Sequence, residues 1–225
     1  MNKLIIIGWV SALSALIAMF IGHQGVHEFN WVSTQISTYA KSAPFDYFIT
    51  SSMLISSVLL LSIGALVTRE RMFGDSLIAS AISPITGSAA AGLFMLSYYE
   101  ETTRTLSSLK SSGFWSIRVQ SFHDAGLDIF FYSSLILILF LGVLVTLYKD
   151  KTFERLLGVI ILLLSPLSYY LMTTPWLKYF GLEGDLIGIN QRAGLLCLWL
   201  ASVVFLGVAS NTALKNGPRE KRSAL

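Results

Sequence analysis

VQSFHDAGLDIFFYSSLILILFLGVLVTLYKD, residues Val119 to Asp150, decides the fold. From Ile129 to Tyr148 it offers twenty residues without a charge, and a hydrocarbon core of about 30 Å needs about 20 apolar residues in helix. The residues just before that run hold His123, Asp124 and Asp128. Counting back from Lys149 puts Asp128 at the edge of the hydrocarbon and Asp124 one turn above it. Asp128 thereby escapes the cost of a mid-membrane carboxylate, roughly 2.5–3.5 kcal/mol or more. The charges are either the wet end of a membrane helix or half of a site.

The rest of the chain repeats the pattern. Its 225 residues are 54% hydrophobic and 13% charged, with a mean hydropathy of +0.66. Soluble domains carry about one quarter charged residues, so there is too little polar surface here to cover a globule in water. The single cysteine, Cys197 in GLLCLWLA, excludes an intramolecular disulfide and a thiolate metal cluster and reads as a small buried thiol. A net charge of +3 without a basic face or aromatic-basic interleaving gives nucleic acid nothing to bind.

Six segments are long and apolar enough to cross: Leu4–Gly22, Phe48–Thr68, Leu77–Tyr99, Ile129–Tyr148, Leu156–Thr173 and Ala193–Leu214. An unpaired backbone amide in lipid costs several kcal/mol, so each is helical. The fold class expected is all-α: a polytopic transmembrane bundle of six helices in one membrane domain, residues 1–214, followed by a basic tail, residues 215–225. Helices four and six are expected to open at His123 and Gln191. The connections on one side hold ten Lys and Arg, from Lys3 to Arg222, against six on the other, which are spread over longer loops. The positive-inside rule then puts both termini in the cytoplasm. Leu4–Gly22 lacks a small-x-small cleavage site and reads as an uncleaved first helix. No sequence repeat relates the halves.

The same counting gathers the polar residues into one layer at the outer face. His23 follows the first helix and His27 lies one turn on. Glu100 and Glu101 follow the third, and Gln191 and Arg192 precede the apolar run of the sixth. All three histidines, with Asp124, Asp128, Glu100 and Arg192, fall in this layer. His23 and His27 are at i, i+4 spacing, as are Asp124 and Asp128, so each pair shares a helix face. Two histidines and two carboxylates converging from two helices would hold Zn²⁺ with an open position for water, which makes His23, His27, His123 and Asp128 the metal candidates. No cofactor is otherwise expected, and no histidines face each other deep in the bundle to hold a haem. The alternative is that Arg192 pairs with Asp128 or Glu100 and staples helix ends together.

Other features read structurally. Pro84 and Pro166 are expected to kink helices three and five. Gly87, Ala91 and Gly92 make one side of helix three smooth enough for a close neighbour. Trp9, Trp31, Trp115 and Trp176 fall near the boundaries as an aromatic belt. No helix has an ionisable residue at its centre, which argues against ion-coupled transport. EETTRTLSSLKSSGFWSIRVQ reads as a long outer loop, and HEFNWVSTQISTYAKSAPFDYF as an interfacial stretch. There is no GxSxG and no P-loop, so serine-hydrolase and nucleotide chemistry lack support.

TQISTYAKSAPFDYFITSSMLISSVLLLSIGAL, GSAAAGLF, FHDAGLDIFF and GINQRAGLLCLWLA together resemble the bacterial and archaeal domain-of-unknown-function 998 family, in order and spacing along nearly the whole chain. The family shows an Ile-Ser motif leading into a glycine-containing second helix, an acidic loop after the third, a histidine opening the fourth and Gly-x-x-Gln-Arg opening the sixth. On that resemblance Ser37, His123, Gln191 and Arg192 carry the pattern, whereas His23 and His27 do not. It implies a six-helix inner-membrane protein with motifs at the outer helix ends.

The reading is a multi-pass protein of a cytoplasmic membrane with a polar pocket opening outward, the bilayer its first partner. His123 is the candidate for chemistry or ligand binding, with Asp124 and Asp128 orienting it. Arg192 would hold a carboxylate or an anionic headgroup, with Gln191, Ser37 and Glu100 completing the ligand set. Three classes make different demands. A protein that binds or moves a lipid-like or small amphipathic ligand needs an apolar groove beside Arg192. A membrane-embedded metal-dependent lipid hydrolase needs a histidine within ligand distance of Asp124 or Asp128. A structural or assembly protein needs every charge paired and no cavity.

Overall fold

The computed structural model describes residues 2–24, 46–69, 72–73, 77–107, 113–174 and 187–215, with side chains described throughout except at 24, 46, 98–107, 113–124, 187 and 213–215. They form six helices: α1 (Lys3–Gln24), α2 (Asp46–Thr68), α3 (Leu77–Ser107), α4 (Gly113–Tyr148), α5 (Thr152–Thr173) and α6 (Ile187–Lys215). Each contains a stretch long and apolar enough to cross a membrane, and the described residues include no strand. Large apolar side chains cover the outside: Phe20 is 66% exposed, Leu163 61% and Val10 58%. A patch of that size in water would aggregate. In lipid it costs nothing, and the chain is a multi-pass membrane protein.

Consecutive helices pack side by side, and α6 returns to meet α1 through a looser seam. The core is filled by Ile63, Leu66, Ile82, Leu137, Leu141, Leu144 and Phe205, each under 2% exposed. Lipid tails are as apolar as leucine, so burial alone does not hold such helices together; close backbone packing and hydrogen bonds across the interface do. Serine supplies the bonds. Ser52 Oγ donates to the Ala15 carbonyl (2.8 Å) between α2 and α1, and Ser57 Oγ to that of Ala90 (3.2 Å) between α2 and α3. Ser165 Oγ reaches the Leu135 carbonyl and Ser168 Oγ that of Gly194, both at 2.9 Å, joining α5 to α4 and to α6.

The α3–α4 pair is held differently. Gly92 and Gly126 let the two backbones touch: a Cβ on Gly92 would stand 2.5 Å from the amide nitrogen of Phe130 and 2.7 Å from the carbonyl oxygen of Gly126. The smooth face is not the one expected, because Ala91 is exposed and Gly87 has open space where its Cβ would be.

Two further expectations are corrected. The Ser/Thr-rich segment after α3 is helical wherever it is described. Helix α3 runs on to Ser107 and α4 already begins at Gly113, so ten and twelve residues of helix extend past the apolar spans. The segment has no proline, and Glu100 and Arg104 stand at the i, i+4 spacing that favours helix. Nor does α6 begin at Gln191: it starts at Ile187, which draws Gln191 and Arg192 a full turn into the helix. Helices α3 and α5 continue through Pro84 and Pro166, both on exposed faces. Of the expected interfacial stretch and the tail, residues 25–45 and 216–225 lie outside the described residues.

At the end where α1 begins and α6 finishes, Lys149 and Glu154 are buried, 7% and 4% exposed. Lys149 Nζ donates to Thr212 Oγ1 (3.0 Å) and lies 5.0 Å from the centre of the Phe73 ring. Asn211 Nδ2 donates to Glu154 Oε1 (2.7 Å) and Arg155 Nε to the Lys149 carbonyl (2.6 Å). Lys149, counted above as a topology cation, is thus also a fastener between α4 and α6. We expect Glu154→Ala to lower stability by about 1–3 kcal/mol, since it strips the acceptor from the Asn211 amide. Glu154→Gln keeps an acceptor and should recover most of that loss in a thermal melt in detergent; equal losses in the two variants would refute this role.

Candidate functional site

At the opposite end, where α1 stops and α6 starts, the six-helix ring encloses a cavity of about 560 Å³. Its body is apolar, walled by Met53, Leu59, Leu93, Phe130, Leu137 and Leu198 among others. Its polar residues concentrate at one end, where His23, Gln191 and Arg192 face inward. This is the form of a ligand pocket: mostly hydrophobic walls with a few convergent polar groups.

The polar end is built by two helix termini. His23 occupies the last turn of α1, and its Nδ1 lies 2.6 Å from the Met19 carbonyl, four residues back. Its Nε2 then accepts from Arg192 Nε at 3.2 Å. Both contacts are satisfied together by the neutral ring protonated on Nδ1. Arg192, in the second turn of α6, also donates from Nη1 to the Gly188 carbonyl at 2.8 Å. The guanidinium is therefore held in place at the head of the cavity rather than snorkelling to water. An ionisable side chain inside a membrane span that faces a cavity is a functional-site candidate by default.

Deeper in, serines break the apolar wall. The Ser52 and Ser202 hydroxyls are spent on the Ala15 and Leu198 carbonyls. Ser134, only 2% exposed, lines the same cavity, and its Oγ meets no hydrogen-bond partner among the described residues. A buried hydroxyl left unsatisfied costs about 1–3 kcal/mol.

The seam between α1 and α6 has a gap. Trp9 Nε1 donates to Ser210 Oγ (3.0 Å) and Trp199 Nε1 to the Ala12 carbonyl (3.1 Å). The next bond across the seam is that of Arg192 to His23. From Ala12 to His23 the helix rises about 16 Å, and along this stretch Leu16, Phe20 and Leu196 line the cavity and are 41–66% exposed. On this side the cavity is bordered by side chains that are themselves exposed.

Of the residues singled out in the sequence, the structure brings His23, Gln191 and Arg192 together. Asp128 stands apart: it is exposed, does not line the cavity and is not the partner of Arg192. Ser37 and His27 lie outside the described residues. Glu100, His123 and Asp124 sit on described helical backbone, but their side chains lie outside the description. Among the described residues no three His, Cys, Asp or Glu side chains converge on a point, and both ring nitrogens of His23 are engaged. Sequence reasoning missed Ser134, Trp199 and the apolar depth of the pocket, since each looks like ordinary membrane-helix composition. No family model, curated protein or solved structure matches this chain.

Proposed function

We propose that this protein binds or moves a lipid-like amphiphile at the outer face of a bacterial or archaeal cytoplasmic membrane, with both termini inside. The observation that carries the reading is the cavity itself: an apolar chamber of about 560 Å³ with Arg192, His23 and Gln191 at its polar end and the exposed side chains of Leu16, Phe20 and Leu196 among its lining. A water-soluble solute would find few partners below the cap, and a plain hydrocarbon would put nothing polar beside it. An amphiphile meets both demands. The excess of Lys and Arg on the side of the termini supports the orientation, and the resemblance to the domain-of-unknown-function 998 family supports the membrane.

The test is to purify the full chain in mild detergent and weigh it intact by native mass spectrometry. One lipid-sized adduct per chain is expected. Ser56→Trp, which places an indole in the cavity lined by Ser56, should lose the adduct and still melt within a few degrees of the wild type. A wild-type chain that carries no lipid, and takes none up from added extract, would sink the reading.

A further inference from the structure

We infer that the floor of the cavity selects the acyl tail of its ligand by length: the chamber takes a tail that spans one bilayer leaflet, the leaflet at its polar end, and Ser202 and Phe205 set that length. This rests on the lipid-binding reading above and adds the class of tail.

Helix geometry gives the depth. The cavity lining runs on α6 from Gln191 to Ser202 and on α4 from Leu127 to Ile138. At 1.5 Å per residue each stretch rises about 16 Å. Half of a hydrocarbon core of about 30 Å is about 15 Å, the room an ordinary tail has in its own leaflet. Two separate helices thus give the same depth, and neither figure depends on how wide the chamber is.

What lies beneath is solid. The lining stops at Leu60 on α2, Ile138 on α4 and Ser202 on α6. One turn further in stand Ile63, Leu141 and Phe205, each at most 1% exposed and all in one packed cluster. On α1 and α3 the lining stops at Ala15 and Leu93, with Ala12 and Ala89 buried just below. From Ile138 to Tyr148 and from Ser202 to Thr212, where the apolar spans end, the helices rise a further distance of about 15 Å. The floor therefore stands near the midplane, and a tail that reaches it cannot continue toward the other leaflet.

Phe205 is the main block. It is the largest of the fully buried side chains, and its ring lies 6.4 Å from that of Phe73, centre to centre, so it fills the space between the floor and the inner helix ends. Ser202 stands one turn above it, with its hydroxyl turned back to the Leu198 carbonyl at 3.0 Å. That small side chain leaves the last turn of the chamber open. A tail too short for the chamber leaves lining atoms without contacts. One too long strands methylenes, each worth about fourfold in affinity.

The experiment is native mass spectrometry of the full chain in mild detergent, equilibrated with an equimolar mixture of phosphatidylglycerols carrying lauroyl, palmitoyl or behenoyl tails, and repeated with phosphatidylethanolamines. A single headgroup within each mixture cancels the contribution of the head, and mass identifies the bound tail. Palmitoyl lipid should be retained at least about tenfold more than behenoyl lipid, the effect of two stranded methylenes, and more than lauroyl lipid. Phe205→Ala, which opens space beneath Ser202, should raise behenoyl relative to palmitoyl lipid by about fourfold or more. Ser202→Leu, which raises the floor, should raise lauroyl relative to palmitoyl lipid by a similar factor. Should Phe205→Ala fail to fold, Ser202→Leu still decides, because its added bulk enters the chamber that Ser202 lines. Equal retention of the three tails by the wild type, or a preference for any tail but palmitoyl, overturns the length assignment and leaves lipid binding standing. So does a tail preference unmoved in Ser202→Leu. If no lipid of either headgroup is retained, and none copurifies, the lipid-binding reading itself falls.

Discussion

Gly92→Val should be the most damaging single substitution in the membrane domain, lowering the melting temperature of the purified protein by about 10 °C or more. The reason is geometric. A Cβ on Gly92 would stand 2.5 Å from the Phe130 amide nitrogen and 2.8 Å from its Cα, and these are backbone atoms with no rotamer to yield. Inserting bulk into a packed interior costs about 1–3 kcal/mol even where side chains can move aside, so a clash with backbone belongs at or above the top of that range. With each kcal/mol worth about 2–4 °C in a chain of this size, a double-digit loss follows. The damage should reach the site too, because α3 and α4 carry Leu93, Phe130 and Ser134 into the cavity wall. Gly87→Ala is the control. The same helix has open space at Gly87, and alanine is preferred to glycine in a helix by about 1 kcal/mol, so that variant should melt at or above the wild type. Equal losses at the two positions would mean that general helix strain, and not the crossing at Gly92, sets the cost.

This pair of glycines also marks how far the sequence could be read. The six spans were legible because charge-free runs of about 20 residues have one stable solution in lipid, and their middles agree with the helices observed. The phase of GSAAAG was not read. Gly87 and Gly92 are five residues apart, hence about 140° around the helix, and cannot face one neighbour together. Hydropathy also misplaced the start of α6. The charges in GLEGDLIGINQR end an apolar run, but they do not end a helix, whose backbone bonds are indifferent to where the lipid stops. The layer of His23, Gln191 and Arg192 was legible as a level and not as a pocket. That these three face inward while Asp128 faces out depends on helix rotation, which a composition this uniformly apolar does not encode. Ser134 was not legible at all, because most serines in membrane helices bond to the carbonyl four residues back, as Ser202 and Ser97 do.

Replacing Arg192 by methionine should separate a ligand cap from a helix staple, since the two roles move stability in opposite directions. If Arg192 served to join α6 to α1, Arg192→Met would destabilise by the several kcal/mol typical of a broken buried charge network. A residue kept for a ligand instead carries a desolvation cost, and apolar replacements of buried charges are often neutral or stabilising by about 1–4 kcal/mol. Methionine alone leaves His23 Nε2 without the donor it has in Arg192 Nε, which offsets part of any gain by about 1–3 kcal/mol. The informative variant is therefore the double Arg192→Met/His23→Leu, which removes both members of the Arg192–His23 hydrogen bond together. We expect it to melt at or above the wild-type temperature and to lose at least about tenfold in affinity for an anionic lipid, the worth of one charge-assisted contact. A zwitterionic lipid should be affected less. A double variant that melts far below the wild type while keeping its lipid would assign the pair to holding the α1–α6 seam shut, and the headgroup would then have to be sought on Gln191.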